Sequence, residues 1–143
     1  MDIGGTYVRN LDEKNRFKIP AKLRDALGSE LRMMKSPEAG NNCIYVYSVE
    51  EWDELCKALK EKTQDTPEGR RARRKVLSKA VYGEVDKNGR YTLDSGLLEY
   101  AGIKDEICIV SNINHTEIWS PEEWLGEDAA LEETSLEGMD IPF

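Results

Sequence analysis

Residues 11–28 read LDEKNRFKIPAKLRDALG, and residues 85–102 read VDKNGRYTLDSGLLEYAG. Asp12 aligns with Asp86, Arg16 with Arg90, Leu23 with Leu97 and Gly28 with Gly102, always 74 positions apart. Leu11/Val85, Phe17/Tyr91, Ile19/Leu93 and Asp25/Glu99 are conservative matches at the same spacing. A second block follows in the same order: residues 47–52, YSVEEW, match residues 119–124, WSPEEW, 72 positions apart. The drop from 74 to 72 is read as a two-residue length change in the loop between the blocks. Two ordered blocks mark an internal duplication, so one succession of elements must serve both copies.

That succession starts with a strand, about Thr6–Leu11 and Val81–Val85, running into an Asp-x-x-x-Arg turn. Returning strands Arg16–Ile19 and Arg90–Leu93 carry the β-branched and aromatic residues that suit a pleated surface. A short helix follows, Ala21–Leu27 or Ser95–Ala101, opened by Pro20 or by Asp94 and Ser95. Gly28 and Gly102 stand where a left-handed helix cap is wanted. Two more strands fall near Leu31–Lys35 and Cys43–Tyr47, matched by Glu106–Val110 and Glu117–Trp119. Ser48 with Glu51, and Ser120 with Glu123, fit a capping box for a longer helix closing each copy. Trp52, Leu55, Cys56 and Leu59 recur at helical spacing and define a core face, with Trp52 and Trp124 as packing anchors. Thr66-Pro67-Glu68-Gly69 starts a connecting helix, predicted to pack one side through Ala72, Val76 and Leu77. The fold class is mixed β with short helices.

Composition bounds the function classes. The 143 residues are 39% hydrophobic and 34% charged, enough for a packed core beneath a well-hydrated surface. No apolar run approaches the roughly 18 residues of a membrane span, and Met1-Asp2-Ile3-Gly4-Gly5 lacks the basic and apolar regions of a signal peptide, so a cytoplasmic protein is expected. Cys43, Cys56 and Cys108 are odd in number and form no CxxC pair, which implies neither a disulfide framework nor a zinc site; structural thiols are expected. The net charge of −8 at first opposes a nucleic-acid partner. Its distribution matters more: residues 120–143 hold eight acids and no Lys or Arg, so the body is neutral and the tail carries the excess. No cofactor or metal is expected. The only histidine, His115, has no partnered nucleophile in sequence, and no phosphate loop, nucleophile elbow or metal spacing occurs, so the chain is read as a non-enzyme.

The function is sought in the turns. The fourth turn position is Asn15 in the first copy and Gly89 in the second, the two residue types that best accept a left-handed backbone. A hairpin loop with positive φ there is the expectation. Asp12 and Asp86 can accept hydrogen bonds from amides inside the turn and so shape it. Arg16 and Arg90 then begin the returning strands beside a rigid bend. Two roles are open to them: pairing with the aspartates across the hairpin, or bidentate contact to phosphate or guanine. Lys14 and Lys87 add charge at the tips, and Lys18 lies just beyond the first arginine. The basic stretch Arg70–Lys79 is likewise open, as a phosphate-binding surface or as a salt-bridge surface.

The pattern D-x-K-x-R-x-x-I-P-x-x-L-R over Asp12–Arg24 resembles the bacterial MraZ family. The resemblance extends over residues 4–126 and includes Arg70-Arg71-x-x-Arg74, Asp86–Arg90 and both tryptophan segments. It implies two AbrB-like (SpoVT-AbrB) swapped-hairpin halves interleaved into one pseudo-twofold β-barrel, assembled as a ring-shaped homo-oligomer. It further implies a sequence-specific transcription regulator on the nucleoid, binding double-stranded DNA at repeated short sites in the promoter of the cell division and cell wall gene cluster. Asn15 departs from the family's usual Gly. Asp94-Ser95 replaces the Ile-Pro type of helix entry, and Leu98 stands where Arg24 stands in the first copy. The second copy has thus lost basic character, which favours Arg16 over Arg90 as a DNA contact. The domain reading is residues 4–50 and 80–126 as the two repeats, 51–79 as connecting helices, and 127–143 as a mobile acidic tail. The alternative function is a non-catalytic protein-binding scaffold.

Overall fold

A computed structural model describes residues 4–143. Met1, Asp2 and Ile3, part of the stretch read against a leader, lie outside the described residues. The first copy contributes β1 (Thr6–Asn10), β2 (Arg16–Lys18), α1 (Ala21–Leu27), β3 (Glu30–Lys35), β4 (Ile44–Ser48) and α2 (Val49–Lys62). After α3 (Pro67–Leu77), the second copy repeats the order as β5 (Val81–Glu84), β6 (Arg90–Thr92), α4 (Ser95–Ala101), β7 (Glu106–Ser111), β8 (Thr116–Trp119) and α5 (Pro121–Glu132). Every element class is where the duplication places it.

The copies do not fold side by side. β1 pairs with β7 of the second copy, and β5 pairs with β3 of the first. The six-stranded sheet has the order β1-β7-β8-β4-β3-β5, which reads the same from either end once each strand is exchanged for its repeat mate. β2 and β6 form a separate two-stranded ribbon in which Phe17 faces its own counterpart Tyr91. Tyr45 faces its counterpart Glu117 between β4 and β8. A residue can face its own repeat mate only where a pseudo-twofold axis passes, so the axis runs through both pairs. The expected closed β-barrel is not what the hydrogen bonding describes: among the described residues there is an open sheet plus a ribbon. β2 and β6 are three residues each and ladder only with each other; Tyr91 of β6 makes a single isolated bridge to Val85, just beyond edge strand β5.

Register corrects the loop-length reading. Arg32 opposite Tyr47 corresponds to Cys108 opposite Trp119, so β3 and β7 lie 76 positions apart. The second copy is therefore two residues longer between its short helix and β7, and four residues shorter in the following hairpin. Sequence matching saw only the net change of two. The same difference changes the cap. Gly102 takes the expected left-handed conformation (φ 68°, ψ 27°), whereas Gly28 combines φ 74° with ψ −161°. The shorter connection must enter β3 at once, and only glycine accepts that backbone readily.

The main core joins both copies: Phe17, Ile19, Leu23, Leu31, Met33 and Ile44 pack with Tyr91, Leu93, Leu97, Ile107, Ile109 and Ile118. Tyr91 also donates its hydroxyl to the Gly28 carbonyl, tying the ribbon to the end of α1. A second cluster on the other sheet face holds Met34, Cys43, Tyr45, Tyr47, Trp52, Cys108 and Trp119. There Tyr47 meets Trp52 edge-on at 5.4 Å, and Trp119 meets Trp124 in the same way at 5.4 Å. The repeat thus extends to side-chain packing. Ser48 and Glu51 form the full reciprocal capping box of α2, and Ser120 caps α5 through the Glu123 amide.

Two helix readings change. Val76 packs against the body as predicted, but Ala72 is exposed and Leu77 is 45% exposed, and Gly69 and Arg73 take part in the docking in their place. Too few apolar side chains line α3 for the predicted stripe to be buried, and hydrogen bonds replace it. α5 continues to Glu132, beyond the boundary drawn at residue 127; Ala129, Ala130 and Leu131 have good helix propensity and carry the helix on without a core partner.

Candidate nucleic-acid interface

Each Asp-x-x-x-Arg turn is built by its aspartate. Asp12 Oδ1 accepts the amides of Lys14 and Arg16, both at 2.9 Å. Asp86 Oδ1 accepts those of Asn88 (2.8 Å) and Arg90 (2.9 Å). The backbone closes each loop identically, with the Asp12 amide donating to the Arg16 carbonyl at 2.9 Å and the Asp86 amide to the Arg90 carbonyl at 2.8 Å. Asn15 has φ 60° and Gly89 φ 76°, the positive values inferred from the Asn/Gly equivalence.

The two turns meet. Arg16 donates from Nε to Asp12 Oδ2 at 2.7 Å and places Nη1 3.8 Å from the Asp86 carboxylate. Arg90 reaches Asp86 at 3.3 Å and Asp12 at 3.6 Å. Two cations and two anions alternate about the pseudo-twofold axis, half of each contribution crossing between copies. Arg90 Nε is buried and lacks the alignment of a hydrogen bond, so its hold on Asp86 is a charge contact. Partial desolvation pushes the Asp12 carboxyl up, but the Arg16 amide and guanidinium and the Lys14 amide outweigh it and hold the group below the usual carboxylate range. Asp86 is lowered chiefly by the Arg90 amide, against desolvation, with help from the Asn88 amide and both arginines.

Of the two roles open to the arginines, the pairing one is formed. Their side chains are only 25% (Arg16) and 27% (Arg90) exposed, so the two are equivalent in burial. The copies differ two residues further on, where Lys18 faces Arg90 across the ribbon while its repeat mate Thr92 faces Arg16. Arg16, Lys18 and Arg90 share the ribbon face opposite buried Phe17 and Tyr91, and Lys14 and Lys87 are exposed in the turns that enter the ribbon at its two ends. Reasoning from sequence missed the cross-copy ion pairs. The signal was present in the identical turns, but nothing in a linear repeat says that its two copies touch.

The remaining reactive groups are structural in placement. His115 is buried, stacks on Tyr45 at 4.0 Å, and contacts Asn114 Oδ1 at 2.6 Å and Glu117 Oε2 at 2.8 Å. Burial pushes the Glu117 carboxyl up, yet its contacts with His115 and Trp119 leave it lowered on balance. Burial pushes the Cys43 thiol up to about 12, and raises Cys56 and Cys108 as well. A concavity of about 570 Å³ beside Lys22, Asp25, Gly28 and Val49 lies between α1 and the start of α2, apart from the turns. Among the described residues no helix is long and apolar enough to cross a membrane, and no three His, Cys, Asp or Glu side chains converge as metal ligands.

An interleaved two-repeat sheet with paired Asp-x-x-x-Arg turns on its axis defines a duplicated swapped-hairpin protein. The family described as "MraZ protein, putative antitoxin-like" matches twice, over residues 3–75 and 76–138. A protein of Dehalococcoides mccartyi named transcriptional regulator MraZ is 36% identical over 129 residues, covering 90% of this chain and 89% of the relative. The proteins of the same name from Clostridium beijerinckii (38% over 120 residues, 84% and 82% covered) and Caldicellulosiruptor bescii (37% over 123 residues, 86% and 84% covered) are comparably similar. The chain belongs to the MraZ family.

Proposed function

We propose that the protein is a sequence-specific DNA-binding transcriptional regulator that presents its paired turns to double-stranded DNA. The observation that carries this reading is the meeting of the two turns. One four-charge cluster fixes both tips in a single rigid unit, with Lys14, Lys18 and Lys87 exposed around it. The relatives' name, transcriptional regulator, supports it. The lysines meet phosphates, and the outer guanidinium edges of Arg16 and Arg90, already oriented by the aspartates, meet base edges in the major groove. A single unit contacts few phosphates. A ring of copies presenting several units to repeated short sites gains effective concentration at each later contact, which is how an acidic chain binds DNA usefully. The target in this reading is the promoter of the division and cell wall gene cluster, the place of action is the nucleoid in the cytoplasm, and no catalysis is involved.

Selection of bound sequences from random DNA, followed by gel shifts with variants, tests the proposal. Arg16→Ala is expected to lose roughly 1–3 kcal/mol per engaged tip and to relax the selected sequence. Lys14→Ala is expected to weaken all sequences alike and to reduce the salt slope by about 1. An Arg16→Ala protein that stays folded and keeps full affinity and selectivity refutes the assignment. A folded wild-type oligomer with no salt-dependent DNA binding would favour the scaffold alternative.

A further inference from the structure

The α2–α3 hairpin carries a surface that neither the turns nor the core uses. The two helices are held close by specific contacts. Arg73 donates to Thr63 Oγ1 at 2.7 Å and to the Thr63 carbonyl at 3.0 Å, capping the end of α2. Thr66 caps α3 through the Gly69 amide, and a Cβ on Gly69 would stand 1.7 Å from the Gln64 carbonyl oxygen. Between the helices lies a groove of about 230 Å³, its wall formed by Cys56, Leu59 and Leu77 with Lys60 and Arg73. Lys60, on the groove wall, and Arg74, beside the groove-lining Arg73, are exposed, and among the described residues neither forms an ion pair. This is an apolar slot with a basic edge.

The chain contains a segment of the complementary kind. Trp124 rests on Trp119, but Leu125 is 69% exposed and every residue from Asp128 to Phe143 is exposed. The tail carries Leu136, Met139, Ile141 and Phe143, the last 93% exposed, among Glu132, Glu133, Glu137 and Asp140. At 1.5 Å per residue, α5 runs about 12 Å beyond Trp124 before the tail begins. An exposed end that is both apolar and charged is open to another molecule.

We infer that the tail of one copy docks in the α2–α3 groove of a second copy, its apolar side chains against Cys56, Leu59 and Leu77 and its carboxylates facing Lys60, Arg73 and Arg74. The inference rests on the oligomeric part of the proposed function and names a contact that joins the copies. It assigns the basic helix to protein and leaves DNA to the turns.

The native thiol in the groove supplies the test. Full-length chain carrying Met139→Cys and Cys56→Ser is mixed with isotope-labelled wild type and oxidised, so a link between the introduced thiol and Cys56 can form only between copies. The expected result is a linked peptide identified by mass. Its yield should fall several-fold when the wild-type partner carries Lys60→Glu and Arg74→Glu, and fall again in about 1 M salt, where screening is short-ranged. Yield no higher than from a thiol placed at exposed Ile113, or yield indifferent to charge reversal, overturns the inference. So does a Met139→Cys single variant that links only within its own chain. Light scattering on wild type separates the failures: an oligomer without the link removes the tail contact alone, and a monomer at every concentration removes the oligomeric reading too.

Discussion

Phe17→Ala tests how the turns are held to the body of the protein. Phe17 directly follows Arg16, is 2% exposed, and packs against its repeat mate Tyr91 with ring centroids 6.2 Å apart. β2 and β6 make only three residue pairs with each other, so this aromatic pair is the ribbon's main attachment to the core. Burying an aromatic ring removes about 200 Å² from water, worth about 5 kcal/mol at 25 cal/mol per Å², and Phe→Ala truncations in cores cost about 3–5 kcal/mol. Taking about 4 kcal/mol, and an unfolding entropy of about 0.3 kcal/mol/K for a chain of 143 residues, the midpoint temperature should fall by about 13 °C. Urea unfolding followed by the fluorescence of the three tryptophans measures the change directly. Phe17→Leu, which refills most of the volume, should cost about 1 kcal/mol. DNA affinity should fall with Phe17→Ala even at temperatures where the protein is folded, because the ribbon that fixes both arginines is loosened. A loss below about 1.5 kcal/mol, or a Phe17→Ala protein as stable as one with exposed Val8→Ala, refutes the idea that this pair anchors the turns.

Gly89→Ala places a Cβ at φ 76° with no atom within 4 Å, so its cost is backbone strain alone, about 1 kcal/mol by urea titration, while Asn15→Gly should be close to neutral. Both axis carboxyls are held below their ordinary value, so the unfolded chain binds more protons than the native one in acid. The stability they contribute is complete above the unfolded value of 3.8 and is lost as the pH falls through the lower native values. Urea midpoints between pH 2 and 6 should show that loss, and Asp12→Asn with Asp86→Asn should flatten it; an unchanged pH profile would count against the cluster. Tyr91→Phe removes the hydroxyl contact to Gly28 and should cost about 1 kcal/mol without altering the fold. Under native conditions near pH 8, a thiol reagent should modify Cys56, which borders the groove, well before buried Cys43 and Cys108; equal rates at all three would disprove the described packing.

The amino-acid sequence by itself determined the local structure. Helix caps, strand alternation and the Asn/Gly turn position are decided within a few residues, by backbone sterics and short hydrogen bonds, and a duplication states each of them twice. The aspartate's role inside the turn was legible for the same reason. Only the tertiary structure decided which copy each strand joins, since β1 on β7 and β5 on β3 depend on contacts about a hundred and about fifty residues apart along the chain. It also decided that Arg16 and Arg90 are bound to both aspartates. Sequence alone left two roles for each arginine, because charge and spacing describe a residue's reach but not which partners the fold brings within it.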